Sequence, residues 1–123
     1  MKISKNLLII VMIILAVIVM TFVVRYLSYK NYDNLAKCLT QKGVKMYGAY
    51  WCPHCIAQKK MFGSSWQYMD YVECEVANSR EQAEVCQQVG IGSYPTWVFP
   101  EGQRIEREIS IDNLAKLSGC GID

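Results

Sequence analysis

Val44-Lys45-Met46-Tyr47-Gly48-Ala49-Tyr50-Trp51-Cys52-Pro53-His54-Cys55 is the stretch on which the reading of this 123-residue chain turns. Val44 to Trp51 is apolar and aromatic, bounded by Gly43 and Pro53, which predicts a buried strand. Pro53 then stands where a first helical turn begins, a position proline favours because its missing N–H is not needed there. His54 to Phe62 continues as a helix closed by Gly63. The two cysteines therefore fall at a strand-to-helix junction, where unsatisfied amides and the helix dipole stabilise a thiolate. Cys52, at the mouth of the helix, is expected to carry the exposed, nucleophilic sulfur. Cys55, one turn in, is expected to be more buried and to act as the resolving thiol. Two intervening residues keep the sulfurs within disulfide reach and the bond reducible.

Working outward, Asn31 to Lys42 reads as a helix with Leu35, Cys38 and Leu39 on one face, stopped by Gly43. Tyr68 to Glu75 alternates well enough for a second strand. Ser79 is a candidate N-cap for a helix through Val89, ended by Gly90. Thr96 to Phe99 and Arg104 to Ile109 flank Pro100-Glu101-Gly102-Gln103 and predict a hairpin. A last helix runs from about Ile111 to Leu117, with Gly119 as its stop. A helix between the first two strands implies a parallel right-handed crossover, and the final pair is antiparallel. The expected fold class is α/β, a mixed four-stranded sheet flanked by helices in a thioredoxin-like arrangement.

Before this domain, Leu7 to Val24 is an unbroken apolar run whose only polar residue is Thr21. At about 1.5 Å per residue it covers nearly all of a hydrocarbon core roughly 30 Å thick. The run ends at Val23-Val24-Arg25-Tyr26 without a small-x-small cleavage pattern, which favours an uncleaved transmembrane anchor over a signal peptide. The expected organisation is residues 1–30 as cytoplasmic stub, anchor and short linker, and residues 31–123 as the soluble domain. Lys2, Lys5 and the terminal amine precede the span while Arg25 and Lys30 follow it, a slight bias placing the N-terminus in the cytoplasm. Six cysteines, at 38, 52, 55, 74, 86 and 120, lie in the soluble part and none in the span. An even, dense set suits an oxidising compartment, so the domain is expected on the extracytoplasmic side, periplasmic or outer, of a single-pass membrane protein. A formal net charge of +2, with no basic stripe interleaved with aromatics, excludes a nucleic-acid partner from the reading.

A Cys-x-x-Cys can also be half of a zinc site. Zinc would need a second Cys or His pair at suitable spacing. His54 is the sole histidine and lies inside the motif, so no metal site is expected. His54 can donate a hydrogen bond or positive charge to the Cys52 thiolate, stabilising the reduced form and making the disulfide more oxidising. Trp51, immediately before the nucleophile, is expected to be exposed and to contact partners, whereas Tyr47 is assigned to the core.

The motif with its preceding strand resembles the thioredoxin-like, DsbA-like domain fused to bacterial homologues of vitamin K epoxide reductase, and its stand-alone relatives. The resemblance rests on Met46 to Cys55, Gln58-Lys59-Lys60, Phe62-Gly63 and Tyr71-Val72-Glu73-Cys74. It extends through Cys86 before Gly90-Ile91, then Tyr94-Pro95-Thr96-Trp97, Leu114 to Leu117 and Ser118-Gly119-Cys120. It implies a thioredoxin fold with Pro95 as a cis-proline facing the redox pair, so that Pro53, His54 and Pro95 join Cys52 and Cys55 at the catalytic centre. Trp51, Tyr94 and Pro95 would shape the groove for a substrate strand. It further implies disulfide exchange with extracytoplasmic cysteine-containing proteins and recycling by a separate epoxide-reductase-like membrane oxidase. No cofactor is expected on the chain itself; a quinone enters only through that partner. One departure from thioredoxin proper is Met46, where thioredoxin has a buried Asp six residues before the first motif cysteine.

Six cysteines allow fifteen pairings, and spacing does not choose among them. The resemblance implies Cys74–Cys86 and Cys38–Cys120 as structural bonds; the competing view is that one pair relays electrons to the active pair. The expected function is a membrane-anchored thiol–disulfide oxidoreductase acting as an oxidase. Two alternatives stay open: a reductase or isomerase fed by a membrane electron donor, and a copper(I)-handling module, since soft thiolates suit that ion.

Overall fold

In the computed structural model, the described residues are 4–27, 31–79 and 81–122. Lys2 and Lys30, which entered the orientation argument, and residue 80 of the predicted Ser79–Val89 helix lie outside them. The chain separates into two compact units, Met1–Lys30 and Asn31–Asp123.

The first unit is one helix, α1 (Lys5–Leu27). Ser4 caps it by accepting the Leu7 amide at 3.2 Å, and Thr21 Oγ1 donates to the Ile18 carbonyl at 2.8 Å. The single hydroxyl of the run is thus satisfied within the helix, as lipid requires of any polar group. By length and composition α1 can cross a membrane.

The second unit carries a four-stranded sheet in the order β2-β1-β3-β4, with β1 Lys45–Gly48, β2 Tyr71–Glu73, β3 Thr96–Val98 and β4 Arg104–Ile105. β1 pairs parallel with β2, Met46 opposite Tyr71, and antiparallel with β3, Met46 opposite Trp97. β3 and β4 form the predicted hairpin. The helices are α2 (Asp33–Gln41), α3 (Pro53–Phe62), α4 (Glu84–Val89) and α5 (Ile111–Ser118), with a 3-10 helix at Gly63–Tyr68. This is a thioredoxin fold. Side chains alternate across a strand, and β1 shows what that buries: Met46 enters a core with Leu35, Leu39, Phe62, Trp97 and Leu114, while Tyr47 enters a second cluster with Cys74, Cys86 and Ile91. The strand that delivers the cysteines is therefore covered on both faces.

Six elements are shorter than the sequence predicts: α2 and β3 lose one or two residues at their ends, and four more are cut back for a local reason. The first strand stops at Gly48, not Trp51, because the Cys52 amide turns back to the Ala49 carbonyl at 3.1 Å. The second begins at Tyr71, not Tyr68, because residues 63–68 wind into the 3-10 helix, closed by Met69 N–H to the Trp66 carbonyl. Ser79 is not an N-cap: its hydroxyl accepts the Glu81 amide at 3.0 Å in a local turn, Glu75 bridges Gln82, and α4 starts only after Ala83. Such side-chain turns compete directly with helix starts. β4 ends at Ile105 rather than Ile109. There Gln58, fully buried on α3, takes over the backbone: its Nε2 donates to the Ile109 carbonyl at 2.9 Å and its Oε1 accepts the Ile109 amide at 2.7 Å. Ser110 then caps α5.

Two disulfides staple this unit. Cys38 on α2 is bonded to Cys120 after α5, 82 residues apart, and Cys74 after β2 is bonded to Cys86 on α4, 12 residues apart. Removing loop entropy from the unfolded chain makes the longer link the larger contributor. Replacing Cys38 and Cys120 together by Ala should lower the unfolding free energy by about 4.5 kcal/mol in the chain-entropy model, read as a fall in the urea midpoint with the domain still folded.

Candidate active site

Cys52 is the N-cap of α3, with extended backbone (φ −73°, ψ 117°), and Pro53 occupies the first helical turn. Its Sγ accepts the Cys55 amide at 3.2 Å. The sulfur thus takes the place of the capping oxygen that Ser or Asp supplies at other helix starts, and it receives the donor and the dipole end together. Cys52 and Cys55 are both free thiols.

The expected exposed sulfur is corrected: Cys52 is only 4% exposed, and Cys55 is wholly buried. Turning Sγ inward to cap the helix is what withdraws it from solvent. Burial pushes the Cys55 thiol up to about 12, the nearby Cys52 adds to the rise, and the Lys59 ammonium works against it. Cys55 lies against β1 at Gly48, where a Cβ would stand 2.9 Å from its Sγ and 3.1 Å from the Tyr71 ring. Only glycine leaves that room.

Behind Cys55 is a polar group that the sequence reading missed. The Tyr71 hydroxyl donates to Glu73 Oε2 at 2.8 Å, and Glu73 Oε1 accepts the amides of Tyr50 and Glu75, both at 3.1 Å. Lys59 Nζ sits 3.6 Å over the Tyr71 ring. Burial and then the Glu73 carboxylate raise Tyr71 far above the usual phenol range, so it stays a protonated donor. Glu73 ties β2 to the turn that precedes Cys52. The Tyr-x-Glu spacing, which puts both side chains on one face of a strand, was the available signal.

His54 meets Glu108: its Nδ1 lies 2.5 Å from Glu108 Oε1, and the side chain is mostly exposed. The hydrogen bond expected from His54 to Cys52 is supplied instead by the Cys55 amide. Nothing in the sequence pointed to Glu108, 54 residues away.

Pro95 is fully buried and follows a cis Tyr94–Pro95 bond. Since Tyr47 pairs with Thr96 in the β1–β3 register, the start of β3 lies beside the end of β1 that leads to Cys52. Trp51 is 54% exposed and packs edge-on against Tyr94, ring centroids 6.2 Å apart. The structure therefore gathers Trp51, Cys52, Cys55, Tyr94 and Pro95 at one end of the sheet. Cys38, Cys74, Cys86 and Cys120 are engaged in the two disulfides.

In a Cys52→Ser variant, the contributions of Cys52 to the Cys55 thiol vanish but burial, the larger cause, remains. Thiolate absorbance at 240 nm should then show no titration near the ordinary value of 9.0 and rise only at more alkaline pH. A step at or below 9 would show that Cys55 is hydrated in solution.

Comparison with known proteins agrees with the fold. The thioredoxin family model matches residues 23–118. Thiol-disulfide oxidoreductase LTO1 of Arabidopsis thaliana is 37% identical over 93 residues, which are 72% of this chain and 24% of that protein. The chain thus spans about a quarter of the length of this curated relative. With the mixed sheet, the dithiol at the start of α3 and the match over most of its length, the chain belongs to the thioredoxin family.

Proposed function

We propose that this chain is a membrane-anchored thiol–disulfide oxidoreductase that oxidises cysteine pairs in extracytoplasmic proteins and is recycled by a vitamin K epoxide reductase-like membrane oxidase. The observation that carries the reading is the asymmetry of the dithiol: Cys52 Sγ caps α3, whereas Cys55 is sealed against Gly48. The resemblance to a protein named as a thiol-disulfide oxidoreductase supports the activity. Two further disulfides in the same unit support an oxidising compartment, and α1 supports the anchor.

In the oxidised chain, a substrate thiolate attacks Cys52 Sγ. The Cys52–Cys55 bond breaks, Cys55 leaves with the electron pair, and its sulfur takes a proton, the form that burial favours. A second substrate thiolate then attacks the substrate's own sulfur in the mixed disulfide. The substrate disulfide forms, and Cys52 departs as a thiolate stabilised by the Cys55 amide and the α3 terminus. Two electrons have moved from substrate to chain, and the membrane oxidase removes them by the same exchange through Cys52. Stabilising the Cys52 thiolate favours the reduced chain, which makes the disulfide more oxidising. Trp51 and Tyr94 flank the reacting sulfur and offer the substrate strand an aromatic surface.

Two measurements test this. Cys55→Ser should accumulate mixed disulfides through Cys52, visible on non-reducing gels as adducts that thiols release, whereas Cys52→Ser should form none and oxidise nothing. The reduction potential should lie well above thioredoxin's, about −270 mV; a value at or below that would overturn the oxidase direction.

A further inference from the structure

Beyond the redox pair, the observations carry furthest at Gln82. It lies in the segment between β2 and α4, with no place in the reactions above. Gln82 Nε2 donates to the Tyr94 hydroxyl at 2.7 Å and to the Ile91 carbonyl at 2.9 Å. Tyr94 in turn sets its ring edge-on against Trp51, the residue before Cys52. A chain of direct contacts thus runs from the 75–83 loop to the aromatic surface beside the reacting sulfur.

What holds Gln82 in place is the shorter disulfide. Cys74, fully buried, continues β2's edge by donating its amide to the Gly48 carbonyl at 2.8 Å, and its carbonyl accepts the Ala83 amide at 2.7 Å. Glu75 bridges Gln82, and Gln87 Nε2 donates to the Gln82 carbonyl at 2.6 Å. Cys86 sits on α4, six residues long and without a side-chain cap. A helix that short is not stable on its own, so its position depends on the covalent link to Cys74 and on packing with Tyr47 and Ile91. Tyr94 packs against this same cluster. The disulfide, the loop and the tyrosine form one body.

We propose that Gln82 is a positioning residue for the substrate groove, and that the Cys74–Cys86 bond is the clamp that keeps it there. Gln82 touches no reacting atom. It fixes the Tyr94 hydroxyl, and through the Tyr94 ring it fixes Trp51, so that the surface receiving a peptide strand is already formed before binding. Preorganisation of this kind lowers the ordering cost of association. It sets affinity for a peptide and leaves alone the exchange chemistry with a small thiol that needs no groove. The inference rests on the oxidoreductase reading for its kinetic arm and on geometry alone for its spectroscopic arm.

The test uses the full chain in detergent micelles. Gln82→Leu keeps volume and removes the donor. With the hydrogen bond to the Tyr94 hydroxyl lost along with that to the Ile91 carbonyl, KM for a dithiol peptide should rise about three- to tenfold, with kcat, the Cys52–Cys55 potential and the rate with dithiothreitol unchanged. In the same variant the indole NMR resonance of Trp51 should shift while those of Trp66 and Trp97 stay. Replacing Cys74 and Cys86 by Ala should raise KM at least as far, and adding Gln82→Leu to it should cost little more, since the two changes act on one contact path. If that double variant does not fold, Gln82→Leu decides alone. An unchanged KM with an unmoved Trp51 resonance overturns the proposal. Equal losses with peptide and dithiothreitol also overturn it, because they mean a general disturbance of the site. A wild-type chain that oxidises no peptide defeats the oxidoreductase reading instead, and the Trp51 resonance then decides the positioning role by itself.

Discussion

At position 48 there is no space for a side chain, and three elements meet because of it. Gly48 ends β1 with Cys55 of α3 on one side and Tyr71 of β2 on the other, each near enough that a methyl group would force them apart. Interiors are packed closely enough that such an intrusion moves backbone rather than being absorbed. The approach has two results. It lets α3 start directly after the turn, so that Cys52 becomes the helix cap. It also puts Cys55 where no water reaches, and that dryness keeps its proton on. The close approach at Gly48 is one part of the packing that seals Cys55 from solvent.

Much of this was legible in residue order. An apolar run bounded by glycine and proline, followed by Cys-Pro-His-Cys, places a strand and a helix start with little ambiguity, and β1 and α3 formed there. Turn glycines at 90 and 119 stop α4 and α5 in left-handed backbone as their positions suggest. The sequence was less informative where side chains compete with backbone. Ser79 carries the chemistry of a helix cap and of a local turn alike, and only the bridge between Glu75 and Gln82 decides for the turn. Gln58 falls within the predicted His54–Phe62 helix, and nothing in its spacing shows that it replaces the end of a strand by hydrogen-bonding both polar groups of Ile109.

At the site, the residues that bear chemistry were visible and those that hold them were not. Cys52, Cys55, Trp51 and Pro95 announce themselves by motif or resemblance. Glu73, Lys59, Glu108 and Gln82 are ordinary polar residues on separate elements, and their roles exist only once the sheet brings them together. Distance in sequence hid them, since polar contacts between remote residues leave no periodic trace. His54 shows the reverse case: a suggestive residue whose ring is engaged by a carboxylate that the motif does not contain.

The link between Cys38 and Cys120 has a mechanical meaning as well as a thermodynamic one. It closes nearly the whole domain, from its first helix to just past its last, into a covalent ring. A chain pulled from its two ends normally comes apart by peeling whichever terminal element yields first. Here tension applied between the stretch before Asn31 and the residues after Cys120 passes through the sulfur–sulfur bond and leaves the sheet unloaded. The segments outside the ring take up the extension, and Cys52 and Cys55 lie inside it. Pulling on the domain from both sides of the ring therefore leaves the spacing of its thiols undisturbed.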